Sequence, residues 1–397
     1  MKKKSGLTSR QEFPEMKLSG VRPRMLSLLA ALTACMTIMN SAQAQTYKVL
    51  YSFISGNAEI PSELVRDSAG NFYGTSYSGG TSQRGTVFKI DPSGVETILY
   101  SFSGGTDGSN PGGPVTLDAA GNLYGTTELG GDAGDGVVFK IDTSGVETVL
   151  HSFHNSDGRE PHAGLLLDPG GNLYGTTFFG GAQGRGVVFL LTPGGQERIL
   201  HSFQLGADAG FPGGGALLRD KAGNFYGTTQ KGGAFNNGAV YKLEPNGTET
   251  VLYSFTGLDD GRSPYGSLIR DPAGNLYGTA TFGGASNRGA VFKLDLAQTL
   301  TVLHSFAGPD GQWPVAGLTR DSAGSLYGTA STGGAFQGGV IFRIDSAGVY
   351  LDLHDFNAGL GGNSPQSTML LFPGPNLYGT TLLGGDYGVG VMFRFKP

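Results

Sequence analysis

Short apolar runs separated by glycine- and proline-rich turns recur along the chain from residue 46 onward. One copy predicts four strands, which we name A (Ala163–Asp168), B (Asn172–Thr177), C (Val187–Leu191) and D (Glu197–Phe203). The segments between them are short turns or loops that leave little room for a helix. The pattern therefore predicts a four-stranded antiparallel meander.

Apolar side chains occupy both faces of these strands. Leu150 and Phe153 point to opposite faces of one strand D, and Val188 and Phe189 do the same in one strand C. A strand in a sandwich usually has one polar face, because one side of its sheet meets water. Sheets that are covered on both sides are typical of the blades of a β-propeller.

The same unit occurs seven times. A Gly-Gly pair begins six residues after the tyrosine of each Tyr-Gly-Thr motif, and a glycine, an aromatic residue and a proline also recur in every copy. The tyrosines, spaced by 50 to 52 residues, are Tyr73, Tyr124, Tyr174, Tyr226, Tyr277, Tyr327 and Tyr378. A repeat of about 50 residues matches a propeller blade, whereas a β-helix rung is about half that length.

The two ends of the repeated region complete each other. Residues 47–53 read as a strand D with no A, B or C before it, and residues 391–395 read as a strand C with no D after it. Pairing them removes two free sheet edges. The prediction is an all-β fold: a seven-bladed β-propeller of four-stranded antiparallel blades over residues 45–397, closed by pairing the N-terminal strand with the C-terminal blade.

The combined motifs resemble a known bacterial repeat. The string Gly-Asn-Leu-Tyr-Gly-Thr-Thr, then Gly-Gly, Gly-x-Val-Phe-Lys-Ile and Val-Leu-Tyr-Ser-Phe, is similar to the Gloeo-Verruco (GloVer) repeat of exported proteins described as choice-of-anchor. The similarity extends over residues 47–397, with a departure at 372–375, where the last copy lacks the Asp-x-Ala-Gly turn. The resemblance implies an exported propeller and brings no established activity or catalytic residue.

The composition supports this fold class. Glycine accounts for 70 of 397 residues, which disfavours long helices because glycine costs about 1 kcal/mol at a helix interior position. The 24 Phe and 16 Tyr are far more aromatic surface than a disordered chain carries.

The first 44 residues have the features of a signal peptide. Basic residues precede an apolar run from Met25 to Met39, and Ser41–Gln45 offers small residues for cleavage after Ala44. Met16 is an alternative start, and Cys35 lies in a Leu-Thr-Ala-Cys sequence that could instead be cleaved and lipidated. We expect a secreted, periplasmic or cell-surface protein with no transmembrane segment in its mature form.

Removal of residues 1–44 changes the chemistry of the chain. It takes away seven basic and two acidic residues, so the formal charge falls from −5 to −10, which disfavours nucleic acid as a partner. Cys35 is the only cysteine, so the mature chain has no disulfides or thiolate ligands. We expect a monomer without cofactors.

The uniform loops favour a binding or scaffold protein over an enzyme. No copy carries a long insertion, and long loops are where catalytic residues are usually added to a fold. The repeated Asp-Gly pairs between strands D and A are expected to be turn residues, and the loop from His154 to His162 matches no metal-binding spacing. The alternative is a secreted carbohydrate-active enzyme, a lyase, lactonase or glycosidase, with its site at the channel mouth.

Five residues are candidates for ligand binding. Glu63 stands two residues after its proline, where the other copies have small residues. The residues that flank the recurrent proline also differ in kind between copies, with Phe211 and Trp313 before it and His162 and Tyr265 after it. We expect all five to surround the channel mouth, where aromatic and acidic groups suit an extracellular carbohydrate or peptide.

Overall fold

A computed structural model describes residues 45–204, 206, 208–357, 359–372 and 374–397. The elements of this part of the chain are all β-strands, arranged in seven antiparallel blades. This confirms the predicted fold class. The strands are labelled A to D from the inner edge of each blade outward, and blades 1 to 7 follow chain order.

Strands B, C and D form the continuous part of every blade. Strand B comprises Phe72–Gly79, Leu123–Thr127, Leu173–Thr177, Phe225–Gly232, Leu276–Phe282, Leu326–Ala330 and Asn376–Leu383. Strand C comprises Thr86–Ile90, Val137–Ile141, Val187–Leu191, Ala239–Leu243, Ala290–Leu294, Val340–Ile344 and Val391–Lys396. Strand D comprises Glu96–Ser101, Glu147–Ser152, Glu197–Ser202, Glu249–Ser254, Leu300–Ser305, Tyr350–Asp355 and, for blade 7, Thr46–Ser52.

Strand A is broken into two short segments. The second segment, which pairs with the first residues of strand B, comprises Val65–Arg66, Thr116–Leu117, Leu166–Leu167, Leu218–Arg219, Ile269–Arg270, Thr319–Arg320 and Leu370–Phe372. A preceding segment that ends at the recurrent proline comprises Ala58–Pro61, Ala209–Pro212, Arg262–Pro264 and Asn363–Pro365 in blades 1, 4, 5 and 7. Single bridges take its place in blades 2, 3 and 6.

The predicted strand bounds are close to the observed ones except at strand A. In blade 3, strand C matches over Val187–Leu191, while strands B and D are each shorter by one residue at one end. The predicted strand A over 163–168 was too long, since only Leu166–Leu167 pairs with strand B. Of the residues before it, Ala163 and Leu165 are buried, and Leu165 packs in the core between blades 2 and 3.

The ring closes through the N-terminal strand. Thr46–Ser52 pairs antiparallel with Val391–Lys396, from Thr46 opposite Lys396 to Ser52 opposite Val391. Phe53 follows this strand and donates its backbone N–H to the carbonyl of Gly390 at 3.0 Å. The predicted closure of the seventh blade is therefore confirmed.

The hydrophobic core is divided into seven clusters, one in each seam between neighbouring blades. In every seam, the phenylalanine after strand D meets the strand C aromatic of the next blade edge-on, with ring centroids 5.1–5.5 Å apart. Phe53 and Phe88 make this contact at the closing seam, and both are fully buried. This packing explains why both faces of the strands are apolar.

A proline and a glycine from adjacent blades fit together at each seam. The glycine three residues before the strand C aromatic has φ between +92° and +113°, and a Cβ there would lie 2.4–2.9 Å from Cδ of the next blade's proline. Gly289 with Pro314 is one such pair, and Gly390 with Pro61 is the pair that closes the ring. Two motifs that recur separately in the sequence are thus one contact in the fold.

The residue before the proline adopts a left-handed backbone conformation in all seven blades, with φ between 50° and 58°. Its N–H donates to a carbonyl of the preceding blade at 2.7–3.3 Å, as Trp313 does to Arg288. This conformation is sparsely populated for residues other than glycine and costs of order 1 kcal/mol. The hydrogen bond across the seam offsets that cost, and it places no requirement on the side chain.

The Asp-Gly pairs of the D–A loops are turn residues, as expected. Asp107 accepts the backbone N–H of Ser103 at 2.7 Å, and Asp260 accepts that of Thr256 at 2.7 Å. The signal peptide over 1–44, the alternative start at Met16 and lipidation at Cys35 lie outside the described residues and stay predictions. Within the residues described, no helix has the length and apolar character needed to cross a membrane.

Candidate functional site

The mouth of the central channel contains a cavity of about 190 Å³. Its wall is built mainly from the residues that follow the recurrent proline, because the chain leaves the strand A ladder at that point. Six blades contribute such a residue: Ser62, Gly112, His162, Tyr265, Val315 and Gln366. The variable positions that directly follow the proline therefore converge on one opening.

Glu63 lies in this wall, at the closing seam between blades 1 and 7. Its Oε1 accepts hydrogen bonds from the backbone N–H of Thr368, at 3.0 Å, and from the Thr368 hydroxyl. Burial raises the pKa of Glu63, and the two bonds from Thr368 oppose that rise. Since both bonds use Oε1, Oε2 has no hydrogen bond within the described part of the chain.

A second carboxylate, Glu128, lines the same cavity. The hydroxyl of Tyr77 donates to its Oε2 at 3.1 Å. Burial and the nearby charge of Glu160 raise the pKa of Glu128, which the Tyr77 bond partly offsets. Gly112 makes room here, since a Cβ at this position would lie 2.5 Å from Glu128 Oε1 and 3.2 Å from Cβ of His162.

His162 and Tyr265 form a stacked pair in the cavity wall. Their ring centroids are 5.9 Å apart and the planes differ by 8°. Burial lowers the pKa of His162 to about 4, so its ring is neutral near pH 7. Its Nε2 is buried and has no hydrogen-bond partner in the part of the chain that the structure describes. Burial, with smaller contributions from Glu128 and Glu63, raises the pKa of Tyr265 to about 12.

The glycines of blade 4 provide the space for Tyr265. A Cβ on Gly214 would lie 2.4–2.6 Å from atoms of the Tyr265 ring, and one on Gly213 would lie 2.4 Å from the Tyr265 carbonyl oxygen. Larger residues at these positions would push the ring out of place. The run Gly213–Gly215 is therefore part of the site, although it has no functional group of its own.

Phe211 and Trp313 are not part of the cavity lining. The Phe211 ring packs against Phe179 at 5.6 Å and lies 5.1 Å from the guanidinium carbon of Arg185. The ring centroids of Trp313 and Phe282 are 6.4 Å apart, and the Trp313 residue is 40 % exposed. Both residues precede the proline, and their side chains cover the seam rather than the channel.

The site brings together three of the five candidates, Glu63, His162 and Tyr265, and adds Glu128 and Tyr77, which the sequence analysis missed. A signal for them was present, because the residue four positions after the repeat tyrosine differs in every blade. These residues are Tyr77, Glu128, Phe178, Gln230, Thr281, Ser331 and Leu382.

The cavity wall carries acidic groups and no positively charged side chain. Its titratable lining residues are Glu63, Glu128, His162 and two tyrosines, and the lining includes no lysine or arginine. Carboxylate oxygens accept hydrogen bonds, and a neutral aromatic face favours the apolar face of a ring. The arrangement can accept hydroxyl donors or a cation, and it offers no positive side chain to an anion.

Comparisons with known proteins identify the repeat and support the fold. The sequence profile of the Gloeobacter/Verrucomicrobia repeat matches residues 36–218 and 212–397. None of the curated protein sequences compared with the chain matches it.

Several solved structures are similar to the chain. Virginiamycin B lyase from Staphylococcus aureus has a TM-score of 0.59 at 13 % identity, over 89 % of this chain and 99 % of that one. A catalytically inactive variant of that lyase with quinupristin has a TM-score of 0.60 at 14 % identity over the same shares. The extracellular domain of BT4673 from B. thetaiotaomicron has a TM-score of 0.55 at 15 % identity, over 86 % of this chain and 40 % of that one. At these identities the similarity concerns the fold alone.

Proposed function

This chain belongs to the Gloeobacter/Verrucomicrobia repeat family, and we propose that it is an exported binding protein that takes a small neutral carbohydrate at the mouth of its propeller channel. The observation that carries the proposal is the convergence of Glu63, Glu128, His162 and Tyr265 on one cavity. The strand positions around them repeat almost unchanged from blade to blade, whereas these positions do not.

The size of the cavity favours a ligand of about one sugar ring. Its volume of about 190 Å³ is below the roughly 300–1,000 Å³ of sites that hold drug-sized molecules. A terminal sugar of a longer glycan also fits this description, because the remainder of the glycan would stay outside the mouth.

The chemistry of the wall favours a neutral polyol. Glu63 and Glu128 would accept hydrogen bonds from sugar hydroxyls, and the Tyr265 ring would cover the apolar face of the sugar. Phosphorylated sugars and uronic acids would be disfavoured, because they would bring a negative charge close to two carboxylates.

The test is a binding screen of the purified protein against neutral, acidic and phosphorylated glycans, followed by calorimetry on the hits. We expect hits among neutral sugars, and we expect Glu63→Gln and Tyr265→Ala to weaken binding by about tenfold each, as loss of a charge-assisted hydrogen bond or of ring contact typically does. Glu244→Gln is the matched control, since Glu244 pairs with Lys242 at 3.0 Å and is not part of the cavity lining. Acidic glycans that bind best, or equal effects of all three variants, would contradict the proposal.

A secreted enzyme is the second candidate, a lyase, lactonase or glycosidase. The observation that favours it is the combination of two carboxyls with raised pKa values and a neutral histidine in one cavity. Groups shifted in this way are suited to acid–base catalysis. Turnover of a bound sugar or lactone that disappears in Glu63→Gln or Glu128→Gln would favour the enzyme over the binding protein.

Export and oligomeric state are part of the proposal. We infer that a signal peptide is removed after Ala44, that the mature chain is a secreted, periplasmic or cell-surface monomer, and that nucleic acid is not a partner. Mass spectrometry of protein from the native host should find Gln45 at the N-terminus. A lipidated Cys35 at the N-terminus would instead indicate membrane attachment.

A further inference from the structure

A histidine and two carboxylates meet in the seam between blades 3 and 4. His201 belongs to strand D of blade 3, Asp208 to the loop that leads into blade 4, and Glu249 to strand D of blade 4. One ligand atom from each residue lies within 4.8 Å of the other two, and His201 Nε2 is 3.5 Å from Asp208 Oδ1. All three residues are half-buried.

Hydrogen bonds of the protein do not satisfy this cluster. His201 Nε2 and Glu249 Oε1 are buried without a hydrogen-bond partner among the described residues. Asp208 is oriented by the backbone N–H groups of Gln204, at 2.9 Å, and Ala209, at 2.8 Å. The carboxylate is therefore held in place by the loop, while the imidazole nitrogen and the second carboxylate face it unpaired.

Another seam of the same ring shows what the pair does without the glutamate. His304 and Asp310 occupy the equivalent positions, and Tyr350 stands where Glu249 would be. There the Nε2–Oδ2 distance is 2.8 Å, an ordinary hydrogen bond, and Nε2 has a partner. With Glu249 present, the His–Asp pair is 0.7 Å wider, and its nitrogen is left without one.

We propose that the seam formed by His201, Asp208 and Glu249 binds one divalent transition-metal ion, for which Zn²⁺ is the best match. One imidazole nitrogen with two carboxylate oxygens is a donor set that Zn²⁺ and its neighbours prefer over Ca²⁺, which takes six to eight oxygens. Two ligand atoms of a tetrahedral zinc site lie about 3.4 Å apart, close to the separation of 3.5 Å between His201 Nε2 and Asp208 Oδ1.

The charges at the site support this assignment. The carboxylates of Asp208 and Glu249 lie close together, and among the described residues the ion-pair partner of Asp208 is His201 alone. A divalent cation would neutralise both and would use the lone pair of His201 Nε2. Three protein ligands leave a fourth position for water, and ligands from two blades would fasten the seam.

A second seam contains the same residue types, namely His151, Asp157 and Glu197. His151 Nε2 lies 3.3 Å from Asp157 Oδ2 and also lacks a hydrogen-bond partner. Among the described residues, however, the three-way approach within 4.8 Å is found at His201, Asp208 and Glu249. We therefore expect the tighter binding at blades 3 and 4.

The repeat itself supplies the test variants. Tyrosine occupies the position of His201 in three other blades, as Tyr51, Tyr100 and Tyr253, and Leu300 occupies the position of Glu249 in blade 5. His201→Tyr and Glu249→Leu therefore introduce residues that the equivalent positions of other blades already carry. His304→Tyr is the matched control, because its seam lacks the glutamate.

The experiment is equilibrium dialysis of the purified protein against micromolar Zn²⁺, with metal content measured afterwards, and thermal unfolding with and without Zn²⁺. We expect His201→Tyr and Glu249→Leu each to weaken zinc binding at least tenfold and to abolish the zinc-dependent rise in unfolding temperature, while unfolding without zinc stays near the parent value. His304→Tyr should retain both effects. Zinc binding that is equal in His201→Tyr and the parent would overturn the assignment. Stability that responds to pH and not to zinc would also overturn it, because the three side chains would then share only a proton.

Discussion

The closing seam can be tested with a single buried ring. Phe53 is fully buried and meets Phe88 edge-on at 5.1 Å. Replacing it with alanine removes the apolar area of one ring and the aromatic pair, so Phe53→Ala should lower the free energy of unfolding by about 3–5 kcal/mol. For a propeller of this length, that loss corresponds to a fall of about 5 °C in the unfolding temperature. Chemical denaturation and calorimetry measure the two quantities.

The repeat provides matched controls for this experiment. Phe306 makes the same contact with Phe342 at an internal seam, at 5.3 Å, and is also fully buried. Phe306→Ala should therefore cost about as much as Phe53→Ala, whereas Phe336→Ala, at a side chain 60 % exposed, should cost less than about 0.5 kcal/mol. A cost below about 1 kcal/mol for Phe53→Ala beside the full cost for Phe306→Ala would show that the N-terminal strand is not an integral part of the ring. Deleting residues 46–53 should then also be harmless, rather than causing the aggregation expected from an exposed strand C edge.

Three further substitutions test the seams and the core. Gly289→Ala should lower the free energy of unfolding, measured by chemical denaturation, by about 2–4 kcal/mol, because the new Cβ would lie 2.4 Å from Pro314 Cδ at φ +101°. The control Gly134→Ala, with φ +82° and no neighbouring atom within 4 Å, should lower it by only about 1 kcal/mol. Tyr241→Phe should stabilise the protein by about 1 kcal/mol, since the buried hydroxyl has no hydrogen-bond partner among the described residues. A loss of stability would reveal a partner. Burial, with a smaller contribution from Asp107, raises the pKa of Glu147 from 4.5 to about 7. The contribution of this carboxyl group to the free energy of unfolding is therefore greatest below pH 4.5, declines between pH 4.5 and 7, and stays low above pH 7. Glu147→Gln should therefore add about 1–2 kcal/mol at pH 8, allowing for solvent screening, and nothing at pH 4; an equal gain at both values would mean that the carboxyl does not titrate in this range.

The architecture could be predicted from the sequence because the repeat carries it redundantly. Seven copies of one pattern fix the number of blades, and the unpaired D and C strands at the two ends identify the closure. The contact between Gly289 and Pro314 could not be deduced, since the two residues are in different blades and their spacing in the chain does not indicate which atoms touch. Strand A was predicted too long because residues 163–165 are apolar without pairing with strand B: Leu165 instead packs in the core between blades 2 and 3.

Part of the candidate site could be predicted because a charged residue is conspicuous among small ones. Glu63 is a charged residue among small ones, so it was recognisable in a list of repeats. Glu128 directly follows strand B of blade 2, which ends at Thr127, and it was missed even though the residue at this position differs in every blade. Phe211 and Trp313 vary for a different reason: the backbone at their position makes the structural contact, so their side chains are not constrained by it.

The left-handed residue before each proline has a consequence for engineering. Its hydrogen bond across the seam uses the main chain, so the same geometry carries Ile60, Asn110, Glu160, Phe211, Ser263, Trp313 or Ser364. The ring thereby separates the positions that maintain its shape from the positions that are presented on its surface, much as an antibody framework supports its variable loops. A library randomised at the residue before each of the seven prolines would diversify these surface positions while the seam contacts stay intact, which makes this repeat a scaffold for selecting new binding proteins.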